Sequence, residues 1–168
     1  RALRDFNVPK IPKIDMPVFI GLINDLFPNM NIPPKRNMEL EKIVKAVCID
    51  HQLQAEEAFV QKVCQLEELL GIRHCVFLLG TSGSGKSEVY KTLSRSWIKN
   101  GVKTTVRDIN PKAIHVDEFY GVISLATREW KDGLFSCMMR DLSRIPDENP
   151  KWIILDGDLD TNWIESMN

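Results

Sequence analysis

Apolar residues change their spacing several times along this chain, and each change marks a different kind of element. From Met38 onward Leu40, Ile43, Val44 and Val47 recur at the 3.6-residue period, and Phe59, Val63, Leu66 and Leu70 repeat it. Both stretches predict helices with one buried face, the second capped by Gly71. The pattern then becomes a short apolar run, Cys75-Val76-Phe77-Leu78-Leu79, which predicts a strand buried on both faces. Lys86 to Lys99 carries Val89, Leu93 and Trp97 at four-residue spacing and meets a stop signal at Asn100-Gly101, so it predicts a helix. Val102 to Arg107 is alternating and β-branched, a second strand. After Asn110-Pro111 the pattern is irregular as far as Asp132. Leu134, Phe135, Met138 and Leu142 then mark a helix ended by Pro146, and a turn at 147–150 leads into Trp152-Ile153-Ile154-Leu155-Asp156, a third buried strand. Strands alternating with helices at this spacing predict an α/β fold, a parallel sheet flanked by helices.

The N-terminal part reads differently. Prolines at 9, 12 and 17 predict an extended linker over Val8 to Asp15, so residues 1–15 are assigned to a preceding module and its linker. Met16 to Phe27 is an apolar stretch containing Gly21, closed by Pro28 and by Asn31-Ile32-Pro33-Pro34. Residues 16–168 form the second assigned region. Neither repeats nor low-complexity tracts interrupt it.

Composition narrows the class without naming a chemistry. The 168 residues have the mass of one domain, and 43% apolar with 27% charged residues is a soluble globular profile. The longest apolar runs fall far short of the roughly 20 residues that cross a bilayer. Cys48, Cys64, Cys75 and Cys137 show no CxxC spacing, and no signal-peptide core opens the chain, so a reducing, intracellular compartment is expected. A net charge of −1 from 22 basic and 23 acidic side chains supplies no field for nucleic acid. The abrupt ends, Arg1 in a polar run and Trp163 to Asn168 in a starting helix, read as the ends of a segment of a longer chain.

Chemistry enters at Gly80-Thr81-Ser82-Gly83-Ser84-Gly85-Lys86-Ser87, which fits GxxxxGK[ST] between a predicted strand and a predicted helix. Glycines at 80, 83 and 85 let successive N–H groups converge on one centre, where they meet phosphate oxygens and the positive end of the helix. Lys86 is expected to neutralise the β- and γ-phosphates of ATP or ADP, and the Ser87 hydroxyl to sit on Mg²⁺. Asp156, at the end of a strand, has the place of the carboxylate that holds the hydrated ion. The next position matters for hydrolysis. ATPases of the AAA+ type carry a glutamate there to polarise the attacking water, and this chain has Gly157. Asp158 would share the face of Asp156 if the strand ran straight on. No catalytic residue is therefore assigned. His51, His74 and His115 are too scattered for a metal site, Asp117-Glu118 reads as a solvated helix start with its aromatic neighbours turned inward, and the four tryptophans read as packing.

Several strings then resemble one family, the dynein heavy chains, and within it the second AAA+ module of the motor ring. They are Asp25-Leu26-Phe27-Pro28, Ser84-Gly85-Lys86-Ser87, Asn110-Pro111-Lys112-Ala113-Ile114, Thr127 to Ser136, Trp152 to Asp160 and Trp163 to Asn168. Trp130-Lys131 and Pro150-Lys151 look more like axonemal than cytoplasmic heavy chains, and Arg1 to Asn7 is similar to the tail of the first module. The resemblance implies a truncated AAA+ large subdomain, an ATP- or ADP-Mg²⁺ site that turns over little nucleotide, and adenine lying near Leu26 and Phe27. It further implies a parent motor ATPase with a coiled coil, acting on microtubules in the axoneme of cilia or flagella, with neighbouring AAA+ modules and other dynein subunits as partners and neither nucleic acid nor membrane. In this fold class a later strand inserts between the first and third, which would leave a hole in the sheet here. A small P-loop kinase or active ATPase, with Asp156 or Asp158 as base, is the rival reading; a scaffold with an empty site is a third.

Overall fold

The computed structural model describes residues 2–8, 11, 12, 14–28 and 36–167. The chain divides into two units, Arg1–Asn37 and Met38–Asn168. The first holds α1 (Ala2–Asn7) and α2 (Met16–Leu26). Pro17 lies in the first turn of α2, where its missing N–H has no helical partner to lose. The described part of the linker is turned rather than extended, with the Asp15 amide donating to the Pro12 carbonyl at 3.0 Å. Proline's fixed φ suits turns as well as extended chain. Pro9 and the break at Asn31-Ile32-Pro33-Pro34 lie outside the described residues.

The second unit is organised around α3 (Met38–Asp50), α4 (Glu57–Leu70) and α5 (Lys86–Lys99). Their apolar stripes meet in one cluster of Leu40, Val44, Cys48, Val60, Val63, Leu66, Val89 and Leu93, and Leu93 is fully buried. Each such side chain stabilises by about 1.5–3 kcal/mol when fully buried. Gly71 caps α4 in a right-handed conformation, its amide on the Glu67 carbonyl. At the end of α5 Gly101 turns left-handed, at φ 83°. Its amide bonds the Ile98 carbonyl at 3.0 Å and the Val102 amide bonds Trp97 at 2.9 Å, the two contacts of a Schellman stop.

Strands β1 (Thr105–Ile109) and β4 (Lys151–Leu155) pair in parallel, from Thr105↔Lys151 to Ile109↔Leu155. The ladder begins three residues after Val102 because the helix stop occupies the chain until there. Trp97 of α5 and Trp152 of β4 pack with ring centroids 5.0 Å apart, seating the helix against the sheet. The segment Cys75–Leu79 departs from expectation: it joins no ladder, and Phe77 and Leu79 are exposed. A strand gains burial only when neighbours hold it in a sheet, and no described residue fills the gap that the family resemblance puts beside it.

The stretch read as irregular is also structured. It carries a 3₁₀ turn at Pro111–Ala113, α6 (Val116–Tyr120), an antiparallel hairpin of β2 (Gly121–Ile123) with β3 (Trp130–Asp132), and then α7 (Leu134–Arg144). Phe119 is buried and stacks on Phe135 at 5.3 Å while Asp117 and Glu118 face outward, as the sequence reading had it. Strands of three residues are too short to show a period. After β4 the chain bends at Gly157 and enters α8 (Thr161–Ile164), whose N-cap Asp160 accepts from the Asn162 amide at 3.2 Å. No helix among the described residues is long and apolar enough to cross a membrane.

Candidate functional site

The glycine-rich loop enters α5 through two left-handed residues, Gly83 at φ 77° and Gly85 at φ 83°. Any other side chain there would bear the strain of that region, so the loop's curl depends on both glycines. At Gly80 the reason is proximity: a Cβ would fall 2.7 Å from the Ser84 hydroxyl oxygen. Gly85 is the N-cap of α5, and with the loop turned this way the first-turn amides and the positive end of a 14-residue helix face the same space.

Lys86 folds back over the loop, its ammonium donating to the carbonyls of Gly80 and Thr81 at 2.9 Å each. Ser87 donates through Oγ to Asp156 Oδ2 at 3.3 Å, across 69 residues of sequence. Asp156 is brought there by β4 and fixed by its own amide, which donates to the Ile109 carbonyl at 3.0 Å. Ser82, Gly83, Gly85, Lys86, Ser87, Glu88 and Asp156 line a cavity of about 350 Å³. A second of about 480 Å³ adjoins it at Asp156 and is lined by Asp108, Ile109, Asn110 and Gly157. Thus the loop residues Gly80, Thr81, Ser82, Gly83, Ser84, Gly85, Lys86 and Ser87 stand together with Asp156. Leu26 and Phe27 end α2 in the other unit, both exposed.

The donor set is chemically specific. A hydroxyl and a carboxylate 3.3 Å apart are hard oxygen ligands of the kind Mg²⁺ takes one or two at a time, leaving its other positions to water and phosphate. Among the described residues no group of three or more His, Cys, Asp or Glu side chains could hold a metal by itself. A phosphate between loop and carboxylate is what would complete such an ion's shell.

Residues that sequence reasoning passed over surround this centre. Burial first, and then the carboxylates of Asp156, Asp108 and Glu88, push the Tyr90 hydroxyl up from its ordinary value. Glu88 is itself paired with Arg95 at 3.3 Å and Lys91 at 3.8 Å. Tyr90 could have been found from the sequence, since it lies four residues beyond Lys86 on the predicted helix. Asn110 is read from the sequence only as the start of a break and as part of a family-like string, with no role of its own. Asp158 does not continue the face of Asp156, because the strand ends at Leu155 and the chain bends; its carboxylate pairs with Lys112 at 3.2 Å instead.

Comparison with known proteins agrees with this architecture. Residues 1–87 match the family described as the hydrolytic ATP binding site of the dynein motor region. The whole chain aligns at 57% identity with the ciliary dynein beta chain of Tripneustes gratilla and at 56% with axonemal dynein heavy chain 17 of Homo sapiens. It aligns at 51% with the flagellar outer-arm dynein alpha chain of Chlamydomonas reinhardtii. In each case all of this chain is covered, and it spans about 4% of the relative's length.

Proposed function

We propose a role for the site from one premise, that the chain belongs to the dynein motor-region family: it holds a nucleotide without cleaving it. The observation that carries this reading is Gly157 directly after Asp156, where a water-orienting carboxylate would stand. The family match, whose description speaks of a hydrolytic site, ends at Ser87 and does not reach these two positions. A residue that orients the attacking water supplies about 10²–10⁴-fold, or roughly 3–5 kcal/mol of barrier. Gly157 supplies none of it. Binding makes other demands, on the loop amides, Lys86, Ser87 and Asp156, which act on the ground-state phosphates and Mg²⁺.

In this reading Lys86 exchanges its two loop carbonyls for phosphate oxygens of ATP or ADP, while Ser87 and Asp156 hold Mg²⁺. When bound, that ion would neutralise phosphate charge. The bound nucleotide stabilises the folded module by mass action and so braces its neighbours in the ring. The chain is then the second AAA+ module of an axonemal heavy chain, with residues 1–15 as the tail and linker of the module before it. Its parent would be a ciliary or flagellar microtubule motor, partnered by its own other AAA+ modules and by further dynein subunits. The assignment of Leu26 and Phe27 to the adenine rests on their apolar character and on the family resemblance alone.

A catalytic reading through Asp158 is opposed by its pairing with Lys112. The experiment is single-turnover ATP cleavage in a full-length heavy chain whose other phosphate-loop lysines have been replaced. The expected result is labelled ATP retained uncleaved with Mg²⁺. Appreciable cleavage by the native site, abolished by Asp158→Asn, would overturn the proposal and make Asp158 the base.

A further inference from the structure

Beyond Asp156 the chain crosses residues 157–159, exposed and in no ladder, before α8 begins. This short bend is held from behind by Trp163, which is 5% exposed and donates its indole N–H to the Asp158 carbonyl at 3.3 Å. The Trp163 carbonyl in turn accepts the Tyr120 hydroxyl, across 43 residues of sequence. Burial pushes that hydroxyl up from its ordinary value, so it keeps its proton and remains a donor.

Tyr120 stands at the foot of the β2–β3 hairpin. Its ring packs on Phe119 and Phe135, with centroids 4.7 and 5.9 Å away. Its carbonyl accepts the Gly133 amide at 3.2 Å and the Ser136 hydroxyl at 2.6 Å. The foot itself is closed main chain against main chain: a Cβ on Gly121 would lie 2.5 Å from the Lys131 carbonyl oxygen, and Gly121 sits at φ 119°, where glycine is favoured. The hairpin, Tyr120, Trp163 and the bend after Asp156 are therefore joined in series by main-chain groups and packed rings.

We propose that Tyr120 and Trp163 are positioning residues for Asp156, fastening the bend that follows it to the foot of the hairpin. Groups behind a metal-holding carboxylate fix its orientation and so its hold on the ion. Neither residue touches nucleotide or Mg²⁺; both act through the main chain of 157–159. The proposal deepens the reading of Asp156 as the Mg²⁺ carboxylate and rests on it.

The test uses the full-length heavy chain with its other phosphate loops disabled and compares Tyr120→Phe, Trp163→Phe and the double variant. Tyr120→Phe keeps the ring and its packing and removes only the hydroxyl. Without nucleotide it should speed hydrogen exchange in the peptide spanning 157–164 by about five- to tenfold, the loss of one hydrogen bond. The Mg²⁺ concentration that half-saturates retention of labelled ATP should rise by about three- to tenfold, while ADP retention without Mg²⁺ stays within about twofold. Trp163→Phe should do the same, and the double variant should be little worse than either, because links in series are lost together. Unchanged exchange in Tyr120→Phe, or additive effects in the double variant, would overturn the fastening. Equal losses with and without Mg²⁺ would reduce the pair to general packing and overturn the positioning role. A Mg²⁺ requirement that Asp156→Asn leaves unaltered would instead overturn the reading of Asp156, and the exchange result would stand apart from it.

Discussion

The phosphate loop has two very different flanks. On the helix side α5 is packed by α3 and α4 around Leu93, with every predicted apolar stripe turned inward. On the strand side Cys75–Leu79 stands without a ladder, its large side chains in solvent. Helices close their backbone hydrogen bonds within themselves and need only a neighbour for one stripe, whereas a strand needs partners for its backbone before its side chains can be covered. The same loop is therefore anchored by local chemistry on one flank and left to distant chain on the other.

The contrast can be broken most forcefully at Leu93. Leu93→Ala should cost about 3 kcal/mol in urea unfolding of the 168-residue chain, by lost transfer energy and cavity formation, while Leu79→Ala should stay within about 0.5 kcal/mol. Equal costs would mean that the strand side is packed after all. Next in size is Lys86→Ala, which removes a cation donating two hydrogen bonds of 2.9 Å to the loop. If those bonds pass to phosphate, nucleotide retention should weaken by about 10²-fold, read as bound nucleotide after rapid gel filtration of the heavy chain. Undiminished nucleotide would remove the loop from the site. The smallest effect is at the turn before β4. Hydrogen bonds from Lys151 and Asn149 hold the Asp147 carboxyl below its ordinary range. Its contribution is present above the unfolded value of about 3.9 and is lost as pH falls through the lower folded one. Asp147→Asn should accordingly lower stability slightly at neutral pH, leave the acid end almost untouched, and so flatten the acid limb of a stability–pH curve. An acid limb that keeps its slope would show that the turn does not depend on this carboxylate.

Legibility followed the same divide. The span of α5, the faces of α3 and α4, and the glycine-rich loop could all be read because each is set by residues within a turn or two of one another. Asp156 was readable as the carboxylate that closes an apolar run, and its meeting with Ser87 follows from the strand it succeeds. The nearness of Asn110 to Gly157 was not legible, because the two lie 47 positions apart and nothing along the chain announces that contact. The turn of Asp158 toward Lys112 was hidden for a related reason: strand periodicity extrapolates straight, and the bend at 157 ends its validity. The hairpin of β2 and β3 was invisible because its pairing, and not its pattern, makes it a sheet.

The Trp97–Trp152 contact has an optical consequence. Two indoles with centroids 5.0 Å apart and planes tilted by 54° are close enough for their transition dipoles to couple, which gives paired circular-dichroism bands of opposite sign. One ring rides on the helix that begins at the phosphate loop and the other on the strand that ends just before Asp156. A slight slide of helix against strand would alter the amplitude of those bands, and the emission of both rings with it. The protein thus carries its own gauge, requiring no added dye, of whether an occupant of the loop is felt at the sheet.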